Sequence, residues 1–248
     1  MKKAGLYYLI TLTAIATGIF LYSPVHAQDS PLLKDFTFSA DYAYYTKYVS
    51  KGFTWDNDPA LQAGFYMGFH GLTLTVWDSM DIRNQEGVVS DEVDYVAEYA
   101  YSIKRLKLSI GHAYFDYPGT NLFSREISAG VAYDILLSPS LSWKIDYSDE
   151  KRGGADGNYV AVAIAHSFPA GKLMSVDLSG HVGYNDGYFI RGKGGDVALT
   201  AGLSIPLTDK LTFKPNINYA LPYADQADEQ DGNQDSRVFA GVVMGYSL

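Results

Sequence analysis

The sequence predicts an all-β chain, a single antiparallel transmembrane β-barrel of about twelve strands with short periplasmic turns and longer outer loops. Three observations carry this. Apolar and polar residues alternate with a period of two through segment after segment. The connections between those segments alternate between short and long. The chain opens with an export signal, yet no later apolar run is long enough for a membrane helix, the longest being Val160 to Ala165. An exported chain without a membrane helix is either soluble or a barrel.

The export signal is read from Lys2 and Lys3, the apolar run Tyr7 to Leu21, and the small residues of Val25-His26-Ala27. Residues 1–27 are therefore expected to be a cleaved signal peptide and residues 28–248 a single barrel domain. The competing reading, an uncleaved anchor, meets a run short for a bilayer span and a cleavage site directly after it.

The formal charge of −9 argues against a nucleic-acid partner, because binding to phosphates needs clustered cations. With no cysteine, neither disulfides nor thiolate chemistry is available. The 21 Tyr, 12 Phe and 24 Gly suit a sheet protein with aromatic girdles and tight turns better than a soluble enzyme.

In order, the first segment runs from Phe36 to about Ser50, with Phe36, Phe38, Ala40, Tyr42, Tyr44 and Tyr48 on one face. Leu61–Phe69, Leu72–Asp81, Val93–Ile103, Leu106–Tyr117 and Phe123–Ile135 follow with the same alternation, as in Tyr95, Ala97, Tyr99 and Tyr101. The second half holds Leu141–Tyr147, Tyr159–Phe168, Leu173–Tyr184, Val197–Ile205, Leu211–Leu221 and Arg237–Leu248. Pro215 inside a ladder predicts a bulge or a displaced strand end. The last segment sets Val238, Ala240, Val242, Met244, Tyr246 and Leu248 in one row, the pattern of a strand that closes a barrel.

The short connections are His70-Gly71, Lys104-Arg105, Leu137 to Ser140, Pro169 to Lys172 and Pro206 to Lys210. Between them lie longer polar stretches: 51–60, 82–92, 118–122, 149–158, 185–196 and 222–236. This asymmetry describes tight periplasmic turns and longer outer loops, and it requires an even strand number if both ends are periplasmic. Period two alone does not say which row faces inward, so a soluble barrel or sandwich with its apolar rows inside stays open at this point.

With the apolar rows facing lipid, the lumen is expected to be lined by Asp41, Lys47, Asp94, Glu98, Lys107, Glu126, Asp134, Lys144, Asp146, Asp177, His181, Lys214 and Arg237. Acids outnumber bases, which leans a pore toward cations. Small inward residues such as Ala161, Ala163, Ala198, Gly241 and Gly245 would widen the bore, and Tyr45, Trp77 and Phe115 would narrow it. The alternative is that these charges pair and fill a closed barrel that works as a structural or surface-interaction protein. Asp225, Asp228, Glu229, Asp231 and Asp235 crowd the last loop without an EF-hand spacing, and a solvated loop is the simpler reading. Lys51-Gly52-Phe53-Thr54-Trp55 is expected to join the aromatic girdle, the alternative being contact with a solute.

Catalysis is not expected. His70 falls in a tight turn, His112 and His166 on lipid-facing rows, and His181 inward, where Asp146 or Asp177 could approach it. No Gly-x-Ser-x-Gly, His-Glu-x-x-His or P-loop spacing occurs.

The stretches Val49-Ser50-Lys51-Gly52-Phe53, Asp58-Pro59-Ala60, Leu61-Gln62-Ala63-Gly64-Phe65, Val76-Trp77-Asp78-Ser79 and Glu92-Val93-Asp94-Tyr95, with Tyr117-Pro118-Gly119, resemble the TorF family of proteobacterial outer-membrane porins. That family usually has Arg-Gly where Lys51-Gly52 stands here. The resemblance implies a channel in the cell outer membrane of a Gram-negative bacterium, without naming a solute. The expected function is passive diffusion of small hydrophilic solutes. Expected partners are outer-membrane lipid and lipopolysaccharide, the barrel-assembly machinery through the C-terminal strand, and small solutes. No cofactor or metal is expected.

Overall fold

The computed structural model describes residues 35–83, 91–149, 151, 153–189, 192–228 and 236–248. The signal peptide and Glu229, Asp231 and Asp235 lie outside them. The strands are β1 (Phe36–Tyr45), β2 (Tyr48–Ser50), β3 (Phe53–Asp56), β4 (Ala60–Phe69), β5 (Leu72–Asp81), β6 (Glu92–Ile103) and β7 (Leu106–Asp116). They continue with β8 (Phe123–Tyr133), β9 (Ser140–Asp146), β10 (Asn158–Ala170), β11 (Met174–Asp186), β12 (Lys193–Pro206), β13 (Leu211–Ala224) and β14 (Arg237–Ser247). A four-residue helix α1 (Asp225–Asp228) precedes β14.

Twelve strands close into one antiparallel barrel in the order β1-β14-β13-β12-β11-β10-β9-β8-β7-β6-β5-β4, and β2 and β3 form a separate hairpin. Each wall strand pairs with its neighbour in sequence, so local turns set nearly every register. The exception is the seam. β14 runs antiparallel to β1 from Ser39↔Ser247 to Tyr45↔Gly241, and flanking bonds extend it, Thr46 N to Ala240 O at 2.9 Å and Leu248 N to Phe38 O at 3.0 Å. Both ends of the wall therefore lie at the short-turn end. There His70 and Gly71 take positive φ of 48° and 87°, the geometry of a two-residue hairpin turn.

The apolar rows face outward. Ile110 is 60% exposed and Val238 61%, whereas Glu126 on an inward row is 2% exposed. The apolar-inward alternative is thereby excluded. Two other expectations need correction. The first strand does not reach Ser50: the wall ends at Tyr45 and Tyr48 turns inward with the hairpin. Pro215 causes no bulge. Its register with β14 is unbroken at Pro215↔Val242, and toward β12 pairing lapses after Gly202↔Asn216 and resumes unshifted at Ile205↔Phe213. A missing N–H costs a ladder bond without adding a residue.

Gly241 faces Tyr45 across the seam so closely that a Cβ there would stand 2.2 Å from the ring. Gly241→Val is expected to cost about 1–3 kcal/mol through overpacking, read as a lower urea midpoint with an unchanged slope. An unchanged midpoint would mean that the Tyr45 ring simply moves aside.

Candidate functional site: the cavity beneath the inner hairpin

The site begins where β1 stops. Lys51 and Gly52 take positive φ of 50° and 77°, folding β2 back on β3 with Ser50 opposite Phe53. The hairpin turns into the mouth at the long-loop end. At its base the Tyr48 ring lies 5.8 Å from Trp77 on β5, and the Tyr48 hydroxyl donates to Glu92 on β6 at 2.8 Å. At its tip Gln226 Nε2 of α1 donates to the Lys51 carbonyl. A Cβ on Gly52 would stand 2.5 Å from Asp196 Cβ on β12. Trp55 meets Phe189 edge-on at 5.6 Å. The hairpin therefore spans from the β5–β6 wall to the β12 wall.

Opposite the tip, Asn185 forms a local turn that aims Tyr188 inward, its Oδ1 accepting from Tyr188 N at 2.8 Å and its Nδ2 donating to Tyr188 O at 2.8 Å. The Tyr188 hydroxyl then donates to Glu126, which also receives Lys144 Nζ at 2.8 Å. Glu126 is nearly fully buried, so these two donors are what make its charge tolerable. Lys51 Nζ sits 5.1 Å from the Tyr188 ring centroid. Burial, and then Lys144, hold the Lys51 ammonium below its usual range, while Glu126, Glu92 and Asp94 pull the other way. On the β11–β12 wall, buried Asp196 accepts Tyr159 Oη and His181 Nε2, each at 2.7 Å.

These groups surround a cavity of about 780 Å3. Of the residues expected to line a lumen, Lys47, Asp94, Glu98, Glu126, Lys144 and His181 lie on it. Lys47 does so from the loop after β1, its Nζ 3.2 Å from the Asn57 carbonyl. The ring-bearing Tyr45, Trp77 and Phe115 and the small Ala161, Ala163 and Ala198 also line it. Asp41 and Lys214 border a smaller cavity of about 210 Å3, where Tyr66 Oη donates to Asp41 at 3.0 Å. Asp146 is buried against Ser124, and Asp177 accepts from Ser167, Ser175 and Ser204 at 2.6, 2.9 and 2.5 Å. Lys107 is exposed on β7, and Arg237 opens β14 opposite Ala220. Asp134 is a correction: β8 ends at Tyr133, so it lies in the turn, not on the wall.

Two further expectations change. His181 pairs with Asp196, not with Asp146 or Asp177. Phe53, at 1% exposed, and Lys51 lie inside the mouth, not in an outer aromatic girdle. Asp225 stays exposed, as a solvated loop would have it, within α1, its Oδ2 accepting Lys193 N at 2.7 Å. Glu92, Asp196, Tyr188 and Gln226 were missed. The first two fall in the long polar stretches 82–92 and 185–196, because apolar alternation sets in only after β6 and β12 have begun. Among the described residues no three His, Asp or Glu side chains converge to hold a metal ion.

A model of a bacterial protein family of unknown function, Gcw_chp, matches residues 29–213. The chain belongs to that family. No curated protein matches it in sequence. Among solved structures it is similar to the KdgM porin, with TM-score 0.56 and 14% identity over 85% of this chain and 99% of that one. The NanC porin gives 0.54 and 11% over 85% and 100%. An outer-membrane channel from Pseudomonas putida F1 gives 0.51 and 8% over 91% and 99%. At such identities the likeness is one of fold, and the fold shared by this Gcw_chp member is that of outer-membrane porins and channels.

Asp56, at the end of the hairpin, is driven up to about 6 by burial, opposed by the Asp58 N–H that it accepts at 2.8 Å and reinforced by Asp81 and Asp58. A carboxyl raised in the folded hairpin favours that form fully below its usual value near 3.8 and loses the advantage as pH rises through about 6. Hydrogen exchange should show residues 48–56 better protected at pH 5 than at pH 7.5, after correction for intrinsic rates. Asp56→Asn should remove the difference, and equal protection in the unmodified protein would contradict the assignment.

Proposed function

We propose that the chain is an outer-membrane channel through which small hydrophilic solutes diffuse, narrowed at its long-loop mouth by the inner hairpin. The observation that carries this is the opposition of faces: exposed Leu, Ile, Val and Tyr side chains outside, and inside a cavity that holds Lys51, Glu92, Asp94, Glu98, Glu126 and Lys144. A greasy surface on every wall strand suits lipid, and water enclosed by the wall serves the charges that lipid would not. The resemblance of Phe36 to Gly119 to TorF porins supports the same reading, as does the porin fold. The signal peptide of residues 1–27, the outer-membrane location, the contacts with lipid and lipopolysaccharide, and delivery by the barrel-assembly machinery belong to this proposal.

A second reading has one observation in its favour. The hairpin is tied to α1 by the Gln226–Lys51 bond and to Phe189, beyond β11, by the Trp55–Phe189 contact, so the mouth is partly filled. A barrel closed there would be a structural or surface-interaction protein.

Planar-bilayer recording separates the two. Refolded mature protein should give discrete conductance steps, and replacing residues 47–57 with a short Gly-Ser linker should raise the step size severalfold. Silence from both proteins would end the channel reading. Steps from the shortened protein alone would favour the closed barrel.

A further inference from the structure

The hairpin carries into the cavity a side chain that is itself a small organic cation. Lys51 is a four-carbon chain ending in an ammonium, and it rests over the Tyr188 ring within cation–π range. A cavity that accommodates this group accommodates its chemistry.

The facing wall is built for the same chemistry. On β5, β6 and β7, Trp77, Asp94 and Phe115 are register neighbours, Trp77↔Asp94 and Asp94↔Phe115, and all three line the cavity. A carboxylate is thus flanked by an indole and a phenyl ring. Glu92 lies two residues along the same strand, hence on the same face, and lines the cavity too. Tyr48 bonds Glu92 and adds a third ring 5.8 Å from Trp77. Asp94 Oδ1 is buried with no N–H or hydroxyl donor, and the Glu92 carboxyl lies within side-chain hydrogen-bonding reach of the same group. A buried carboxylate oxygen lacking a donor is costly, and an ammonium brings three donors.

The surrounding charge favours a cation over an anion. Lys144 is engaged by Glu126, and Glu92, Asp94 and Glu98 outnumber the two remaining ammoniums on the cavity, Lys51 and Lys47, the latter held by the neutral Asn57. Resting on the channel reading for access, we propose that the cavity beneath the hairpin is a subsite for primary alkylammonium solutes. Asp94 and Glu92 are its anionic partners, Trp77, Phe115 and Tyr48 its ring walls, and Lys51 a resident competitor.

The probe is 1,4-diaminobutane, titrated into the refolded mature chain in detergent and followed by calorimetry and tryptophan fluorescence, with butane-1,4-diol and butyrate as neutral and anionic controls. Saturable binding of the diamine at least tenfold tighter than either control is expected. Lys51→Gln should tighten it severalfold. Glu92→Gln with Asp94→Asn should weaken it at least tenfold, with Trp77→Leu as a second variant expected to weaken it, each shown to be folded by its migration on unboiled gels. Equal binding of the diol or butyrate, or full affinity without both carboxylates, would overturn the proposal. Binding by a protein that never conducts would sink the channel reading and leave the subsite standing; conduction without diamine binding would do the reverse.

Discussion

The structure depends on one pairing that no local turn enforces, the seam of β1 and β14. Eleven wall contacts join strands adjacent along the chain, apart from the inserted hairpin, but this one joins the first strand to the last. Until it forms, two strand edges stay unsatisfied, which a hydrocarbon surrounding does not forgive. Its register also decides orientation. With Tyr45 opposite Gly241 and Tyr42 opposite Met244, the outward rows of both ends of the sheet coincide, and a slip of one residue would turn one edge inside out.

Closure creates the second constraint. A ring of twelve strands encloses more room than an eight-stranded barrel, whose interior side chains fill, and less than a sixteen-stranded one with its wide aqueous channel. The chain occupies part of that room with its own first loop. Three deeply buried acids around the hairpin have donors within reach: Glu126 has Lys144 and Tyr188, Asp196 has Tyr159 and His181, and Asp146 has Ser124. Each pairing offsets the cost of taking a charge out of bulk water. Asp56, Asp78 and Asp94 each keep one buried oxygen without a donor, and of the three Asp94 lines the cavity, which makes it the place for a solute.

The wall was legible because alternation is a direct imprint of two different surroundings on one strand. The row Tyr95, Ala97, Tyr99, Tyr101 needs no neighbour to be read as a face. What alternation conceals is the part of a strand that rises above the apolar belt. Glu92 and Asp196 continue β6 and β12 with polar residues on an already polar side, so the pattern fades before the hydrogen-bonded ladder does. The hairpin was concealed differently. Lys51-Gly52 between Tyr48-Val49-Ser50 and Phe53-Thr54-Trp55 has the form of a two-residue turn, yet its direction, inward across the mouth, is set by Gln226 and Asp196, more than a hundred residues away. Asp134 failed for a simpler reason, since a strand's last alternating residue and its first turn residue look alike.

Greasy rows that meet lipid and charged rows that meet enclosed water should differ in what reaches them, and two tryptophans, one on each side of the wall, report the difference. Trp143 lies outside on β9, 45% exposed, and Trp77 lies inside on the cavity. In vesicles whose acyl chains carry bromine, a variant retaining only Trp143 should be strongly quenched. One retaining only Trp77 should resist the lipid bromines and yield instead to acrylamide in the water. Equal bromine quenching of both, or quenching of Trp77 alone, would contradict the account.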